Sequence, residues 1–242
     1  MSGHSHAKTV AATKNANDAK KGKIYSKYGR LITIAVKEGG GSGDPVTNSK
    51  LKTAIEQAKA MNMPKENIER AIKKGTGELA GEILETVSYE GFGPGGVALI
   101  IEGITDNKNR TLGEVKQILN QYGGKMAGEG AVRWMFEQKG IIKINNEQTI
   151  NKENFEMTAI EAGADDIIFQ DPQIEIYTKP EDIESVKKNL EGKGLKVSEL
   201  NIELVPKDSV SVDQKTKNQC QNLFDALDEN EAVQNIYSNL KE

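Results

Sequence analysis

The residues with the strongest claim to chemistry are cations. Lys23, Lys27 and Arg30 fall at i, i+4 and i+7, which puts them on one face of a helix, within reach of successive phosphates of a polyanion. Lys20 and Lys21 precede them, and Lys14 lies further upstream. A second group, Lys65, Arg70, Lys73 and Lys74, gathers on one short helical pattern, with Lys50 and Lys52 at the start of another. Lysine and arginine at such spacing contact phosphodiester backbones, which positions a protein on nucleic acid without reading sequence. Tyr25 and Tyr28 could add stacking, although tyrosines so placed more often pack. A solvated helical surface would carry the same cations; their recurrence on helix faces favours the polyanion.

Other chemistries find less support. The histidines, His4 and His6, both sit in a polar N-terminal stretch without a nearby cysteine, a poor metal site and no basis for a Ser-His-Asp arrangement. Cys220 is alone in a helical pattern and reads as a buried structural thiol in a reducing compartment. Gly91, Gly93 and Gly96 match G-x-G-x-x-G. That fingerprint needs a helix N-terminus after the glycines. Here the apolar run Val97 to Ile101 follows, and Pro94 removes a donor, so a tight turn between paired strands is expected. Glu102 and Asp106 lie near that run, where carboxylates are usually solvated or capping. The expectation is a protein without catalysis, metal or cofactor.

The net charge of -4 conceals an asymmetry. Residues 1–80 carry 15 Lys and Arg against 7 Asp and Glu, a balance of +8; the remainder stands at -12. A basic end on an acidic body suits a polyanionic partner. No apolar run approaches the ~20 residues of a membrane helix, and no apolar leader marks a signal peptide. A cytoplasmic protein without a membrane partner is expected.

Apolar periodicity supplies the elements that position these residues. Ile24, Tyr28, Leu31 and Ala35 make one helical stripe over Lys20 to Lys37, ended by Gly39-Gly40-Gly41. Asn48 is placed to cap a helix over Ser49 to Met61. A third helix begins at Met63-Pro64, with proline in its first turn, a Glu66–Arg70 pair, and Gly75 and Gly77 as its stop. Strands over Thr86 to Glu90 and Val97 to Ile101 flank the GFGPGG turn, the second being the central strand of a middle domain. A helical stripe from Leu112 to Tyr122 follows, and then an alternating strand over Ala131 to Phe136, with Val132, Trp134 and Phe136 on one side. From Gly140 the order reads strand, helix, strand, strand, helix, strand: Ile141 to Ile144, Lys152 to Ala162, Asp166 to Phe169, Gln173 to Thr178, Pro180 to Glu191 and Leu195 to Val205. That is the split βαβ unit. A helix over Gln214 to Leu227 and a last strand over Ala232 to Tyr237 complete the chain, the strand returning to the middle sheet.

Several stretches together resemble the YebC/PmpR family, which includes the mitochondrial translational activator of cytochrome c oxidase. They are the opening MSGH, DAKKGKIYSK (Asp18 to Lys27), MNMPKENIERAIKKGTGE (Met61 to Glu78), YEGFGPGGVALIIEGITDNKNRT (Tyr89 to Thr111), EAGADD (Glu161 to Asp166) and VQNIYSN (Val233 to Asn239). The resemblance spans the chain in order. It implies an α+β protein of three domains: a basic N-terminal helical bundle (1–80), a middle α+β domain (81–138 with 206–242), and an inserted ferredoxin-like βαββαβ domain (139–205). It also implies a non-enzymatic, nucleic-acid-binding regulator of gene expression. A DNA-binding transcriptional regulator comes first. The alternative is a ribosome-associated translation factor that relieves stalling at proline-rich stretches, with ribosomal RNA as its partner. Family members commonly carry an aromatic and a basic cluster soon after the opening motif. Here that segment reads HAKTVAATK, with only Lys8 and Lys14.

Overall fold

The computed structural model describes residues 18–145, 152–170 and 173–241. In chain order its elements are α1 (Asp18–Glu38), α2 (Ser49–Ala60), α3 (Lys65–Thr76), β1 (Glu85–Phe92), β2 (Ala98–Thr105), α4 (Lys108–Gln121), β3 (Lys125–Met126), β4 (Phe136–Asn145), α5 (Lys152–Ala162), β5 (Asp166–Phe169), β6 (Gln173–Thr178), α6 (Ile183–Gly192), β7 (Val197–Pro206), α7 (Gln214–Asp228) and β8 (Val233–Ser238). The fold is α+β, with two antiparallel sheets of four strands each. Packing divides it into two units. Of the described residues, one takes 18–133 together with Val212–Ser238; the other takes Trp134–Ser211 and 239–241.

The helical part of the first unit is built around α1, which packs on both α2 and α3. Ile32, Val36, Leu51, Ala54, Ala58, Ile68 and Ala71 form its buried core. Asn48 caps α2 as expected, its side chain accepting the Leu51 amide at 3.0 Å. Pro64 takes the position just before α3, with φ -59° and ψ 143°, one step outside the first turn. Gly75 does not stop α3. It lies inside the helix, where a Cβ would stand 2.6 Å from Val36 Cβ and 3.0 Å from the Thr33 carbonyl oxygen. The missing side chain is what lets α1 and α3 close on each other, and α3 ends at Gly77 with φ 84°.

The sheet of this unit runs β3-β1-β2-β8. β2 is interior, with Ala98 to Ile101 wholly buried. The last strand does return here, pairing antiparallel with β2 so that Ile236 faces Ile101. The GFGPGG segment joins β1 to β2 through a single 3-10 turn at Pro94–Gly96, in which Gly95 and Gly96 take φ of 70° and 76°. The glycine spacing therefore opens onto a strand. α4 and α7 are capped by the Asn107 and Asp213 side chains. The helical part meets this sheet through Ile34, Leu84 and Ile104, with Leu31 packed against them.

The strand expected over Ala131 to Phe136 does not form. Residues up to Met135 are turn and a 3-10 helix (Arg133–Met135), and β4 starts at Phe136. The cause is Glu90 on β1. Its carboxylate accepts the backbone N–H groups of Gly130, Val132 and Arg133 at 2.7, 2.7 and 3.0 Å, which takes donors that a sheet ladder would use. Val132 and Phe136 are buried as expected, but Trp134 is 67% exposed.

In the second unit the sheet order is β5-β6-β4-β7, antiparallel throughout. With α5 and α6 as the connections, this is the split βαβ arrangement. Ile142, Ile144, Phe155, Ala159, Ile174, Ile176 and Leu190 form its core. Pro180 opens a 3-10 turn (Pro180–Asp182), and α6 proper begins at Ile183.

Candidate nucleic-acid interface

The row of cations on α1 divides. Lys21 and Lys23 are exposed. Lys27 and Arg30 turn inward, towards the end of α7 and the sheet. The Lys27 ammonium lies 2.6 Å from the Asp228 carboxylate and 3.3 Å from its carbonyl oxygen. Arg30 donates to the Ile104 carbonyl at 3.3 Å and stands 3.6 Å from Glu231. Gln234 donates to the Lys27 carbonyl at 3.4 Å. Helical spacing placed Lys23, Lys27 and Arg30 on one face. It carried no information about carboxylates some two hundred residues away. Lys14 and the side chain of Lys20 lie outside the described residues.

On α2 and α3 the cations stay outside. Lys52, Lys73 and Lys74 are exposed. Lys50 pairs with Glu38 at 2.6 Å, and Lys65 with Glu69 at 3.5 Å, all with largely solvated side chains. Such pairs are worth little in water, so either lysine can exchange its carboxylate for a phosphate at small cost. Arg70 donates to Asn67 at 3.4 Å instead of joining the expected pair with Glu66. Lys73 and Lys74 occupy the last turn of α3, where the helix dipole favours cations.

The tyrosines pack. The Tyr25 hydroxyl donates to the Asn62 carbonyl at 3.0 Å, bracing the turn between α2 and α3. In that turn Asn62 takes the positive φ of 57° that a glycine would otherwise supply. Tyr28 lies half-buried against the helical core.

The carboxylates near β2 have partners of their own. Desolvation raises the Glu102 carboxyl above its ordinary range, against hydrogen bonds from Asn235 and Tyr237 and the charge of Arg133. Asp106 accepts from Arg110, which holds it below its usual range. Cys220 is fully buried, its Sγ 3.5 Å from the Pro94 carbonyl, and desolvation pushes the thiol up. Among the described residues no group of three or more His, Cys, Asp or Glu could hold a metal ion. His4 and His6 lie outside them. No helix among the described residues is long and apolar enough to cross a membrane.

Comparison with known proteins accounts for nearly the whole chain. The family model for the TACO1/YebC protein N-terminal domain matches residues 5–78, and that for the TACO1/YebC second and third domain matches residues 84–240. A probable transcriptional regulatory protein of Thermoanaerobacter pseudethanolicus is 47% identical over 241 residues, which is 100% of this chain and 97% of that one. Another, from Thermotoga maritima, is 46% identical over 241 residues, covering 100% and 94%. The crystal structure of a conserved hypothetical protein from Aquifex aeolicus has a TM-score of 0.80 at 42% identity, over 93% of this chain and 91% of its own. The chain belongs to the TACO1/YebC family.

Proposed function

We propose that the protein is a non-catalytic, nucleic-acid-binding regulator of gene expression that works in the cytoplasm, with a DNA-binding transcriptional role as the first reading. The contact surface is the basic domain, residues 1–80, and the acidic remainder divides into a middle domain (81–138 with 206–242) and an inserted one (139–205). The observation that carries this reading is the exposure of Lys21, Lys23, Lys52, Arg70, Lys73 and Lys74 on the three helices of the basic end of an otherwise acidic chain. Lys50 and Lys65 join them by releasing weak surface pairs. Lys27 and Arg30 contribute by fixing the helical part to the sheet. The relatives' names as probable transcriptional regulatory proteins support the same reading.

The test is binding to labelled duplexes across salt. Affinity should fall steeply between about 50 and 200 mM salt. Reversing Lys52, Lys73 and Lys74 to Glu should weaken binding about tenfold or more. Equal affinity for promoter and random duplex would count against a transcriptional role.

A second reading, a translation factor bound to ribosomal RNA, has one observation in its favour. Glu66 and Glu69 lie between Lys65 and Arg70 among the exposed residues of α3. That breaks the continuous basic surface a groove-reading helix presents, and it suits contact with folded RNA through shape and phosphates. Sedimentation of the tagged protein through a gradient of nuclease-treated lysate separates the two. Co-migration with ribosomal particles supports the second reading, and a protein that stays at the top supports the first.

A further inference from the structure

After residue 80 the chain is acidic, yet its three longest stretches without Asp or Glu run over 91–101, 115–128 and 214–224. The fold brings all three together. A Cβ on Gly95 would stand 2.8 Å from Thr216 Cγ2 and 3.1 Å from Val212 Cγ1, and Cys220 reaches the Pro94 carbonyl. So the first turns of α7 flank the GFGPGG turn on one side. The end of α4 and the start of β3 flank it on the other: a Cβ on Gly124 would meet the Phe92 carbonyl oxygen at 2.6 Å, and one on Gly91 the Lys125 carbonyl oxygen at 2.9 Å.

Between the two turns lies a cleft of about 390 Å³, lined by Phe92, Lys125 and the glycines of both turns. Gly95, Gly96 and Gly123 are exposed, so a ligand can approach the backbone closely. The Lys125 ammonium lies over the Phe92 ring, 5.7 Å from its centroid. Lys215, beside Thr216 on α7, is exposed, and Lys217 is half-buried. Asp213, the cap of α7, is the acid nearest in sequence to Lys215 and Lys217, and its carboxylate already accepts the Thr216 amide at 2.7 Å. Lys125, Lys215 and Lys217 thus gather at the turn of a domain that is otherwise acidic, with Glu129 four residues from Lys125 as the next acid in sequence.

We infer that the glycine turn and its flanking lysines form a second phosphate-binding surface, which takes the backbone of a nucleic-acid strand. This rests on the nucleic-acid reading above and adds a contact outside the basic helices. Glycines admit the strand, and Lys125, Lys215 and Lys217 neutralise its phosphates.

The test uses the full chain and a fluorescein-labelled single-stranded RNA of mixed sequence, read by anisotropy across salt. Two variants are compared, K125E/K215E/K217E at the turn and K52E/K73E/K74E on the helices. The turn variant should lose affinity about tenfold or more, and its log–log salt slope should flatten by about 2, close to 0.7 per lost contact. K125R/K215R/K217R should bind like wild type. If the glutamate variant melts early, K125Q/K215Q/K217Q replaces it. Wild-type binding by the turn variant, with binding lost in the helix variant, overturns this inference and leaves the proposed function standing. The reverse outcome supports the turn and removes the basic helices from the function. No loss in either variant overturns this inference and takes strand binding away from the basic helices as well, leaving the duplex reading to its own test. Displacement of the RNA by low-millimolar inorganic phosphate at constant ionic strength would show a small-anion site and overturn the assignment to a strand.

Discussion

The Lys27 ammonium stands 2.6 Å from the Asp228 carboxylate, with 15% and 18% of the two side chains exposed. One turn on, Arg30 meets Glu231 and the Ile104 carbonyl. These contacts tie the helical part of the first unit to the end of α7 and to β2. Removing one partner leaves a largely desolvated charge. Asp228→Ala should therefore cost about 2 kcal/mol. A double-mutant cycle with Lys27→Ala checks it: the coupling should exceed the ~0.5 kcal/mol of a surface pair, and the swapped pair K27D/D228K should recover part of the loss. Additive single effects would mean that the pair holds nothing together.

Glu90 predicts an acid-sensitive turn. Desolvation pushes its carboxyl up, but the N–H groups of Val132, Gly130 and Arg133 outweigh it, so the group titrates below its ordinary range. A carboxyl depressed in the folded state stabilises above its unfolded pKa, near 4.3, and that stabilisation is lost as pH falls through the folded value. Glu90→Gln should cost about 1–2 kcal/mol at neutral pH. It should also flatten the pH dependence of the melting temperature below about pH 4.5. An unchanged acid limb in the variant would show that the three bonds are not maintained in solution.

The helices were legible because their signals are local. Asn48 before an apolar stripe specifies a cap three residues ahead, and the structure shows that bond. The order of strands and helices from Ile141 to Val205 was legible for the same reason, although the first strand begins earlier, at Phe136. What failed depended on partners distant in sequence. Ala131 to Phe136 alternates as a strand would, but Glu90, some forty residues upstream, binds its amides. Gly75 resembles a stop, yet it is a spacer set by Val36 on another helix. Of the candidate site, the exposed lysines were legible as charge. The inward turn of Lys27 and Arg30 was not, because Asp228 and Glu231 lie near the other end of the chain.

Gly75 reverses the usual sign of a helix substitution. In an exposed helix interior, Gly→Ala stabilises by about 1 kcal/mol. Here the new methyl would meet Val36 Cβ at 2.6 Å, and both partners are held by the packed core. Gly75→Ala should destabilise by about 1–3 kcal/mol. Gly22, with nothing within 4 Å of a Cβ, is the control and should gain stability. Thermal unfolding of the two variants settles it: a gain at both positions would mean that α1 and α3 do not approach as closely as the structure has them.

Cys220 sits on the buried face of α7 beneath the GFGPGG turn, and burial raises its thiol pKa. Two outcomes follow. The native protein should resist a disulfide-exchange reagent such as DTNB, and one thiol should react once the chain is unfolded in denaturant. A thiol raised in the folded state leaves stability intact below the unfolded pKa, near 8.5, and drains it as pH climbs towards the folded value, because the unfolded chain releases its proton first. Wild type should therefore lose stability more steeply than Cys220→Ala above about pH 8.5, while the variant pays about 1 kcal/mol at neutral pH for the lost sulfur contacts. Fast labelling of the native protein would place the thiol at the surface. It would also loosen the contact between α7 and the glycine turn on which the second phosphate surface depends.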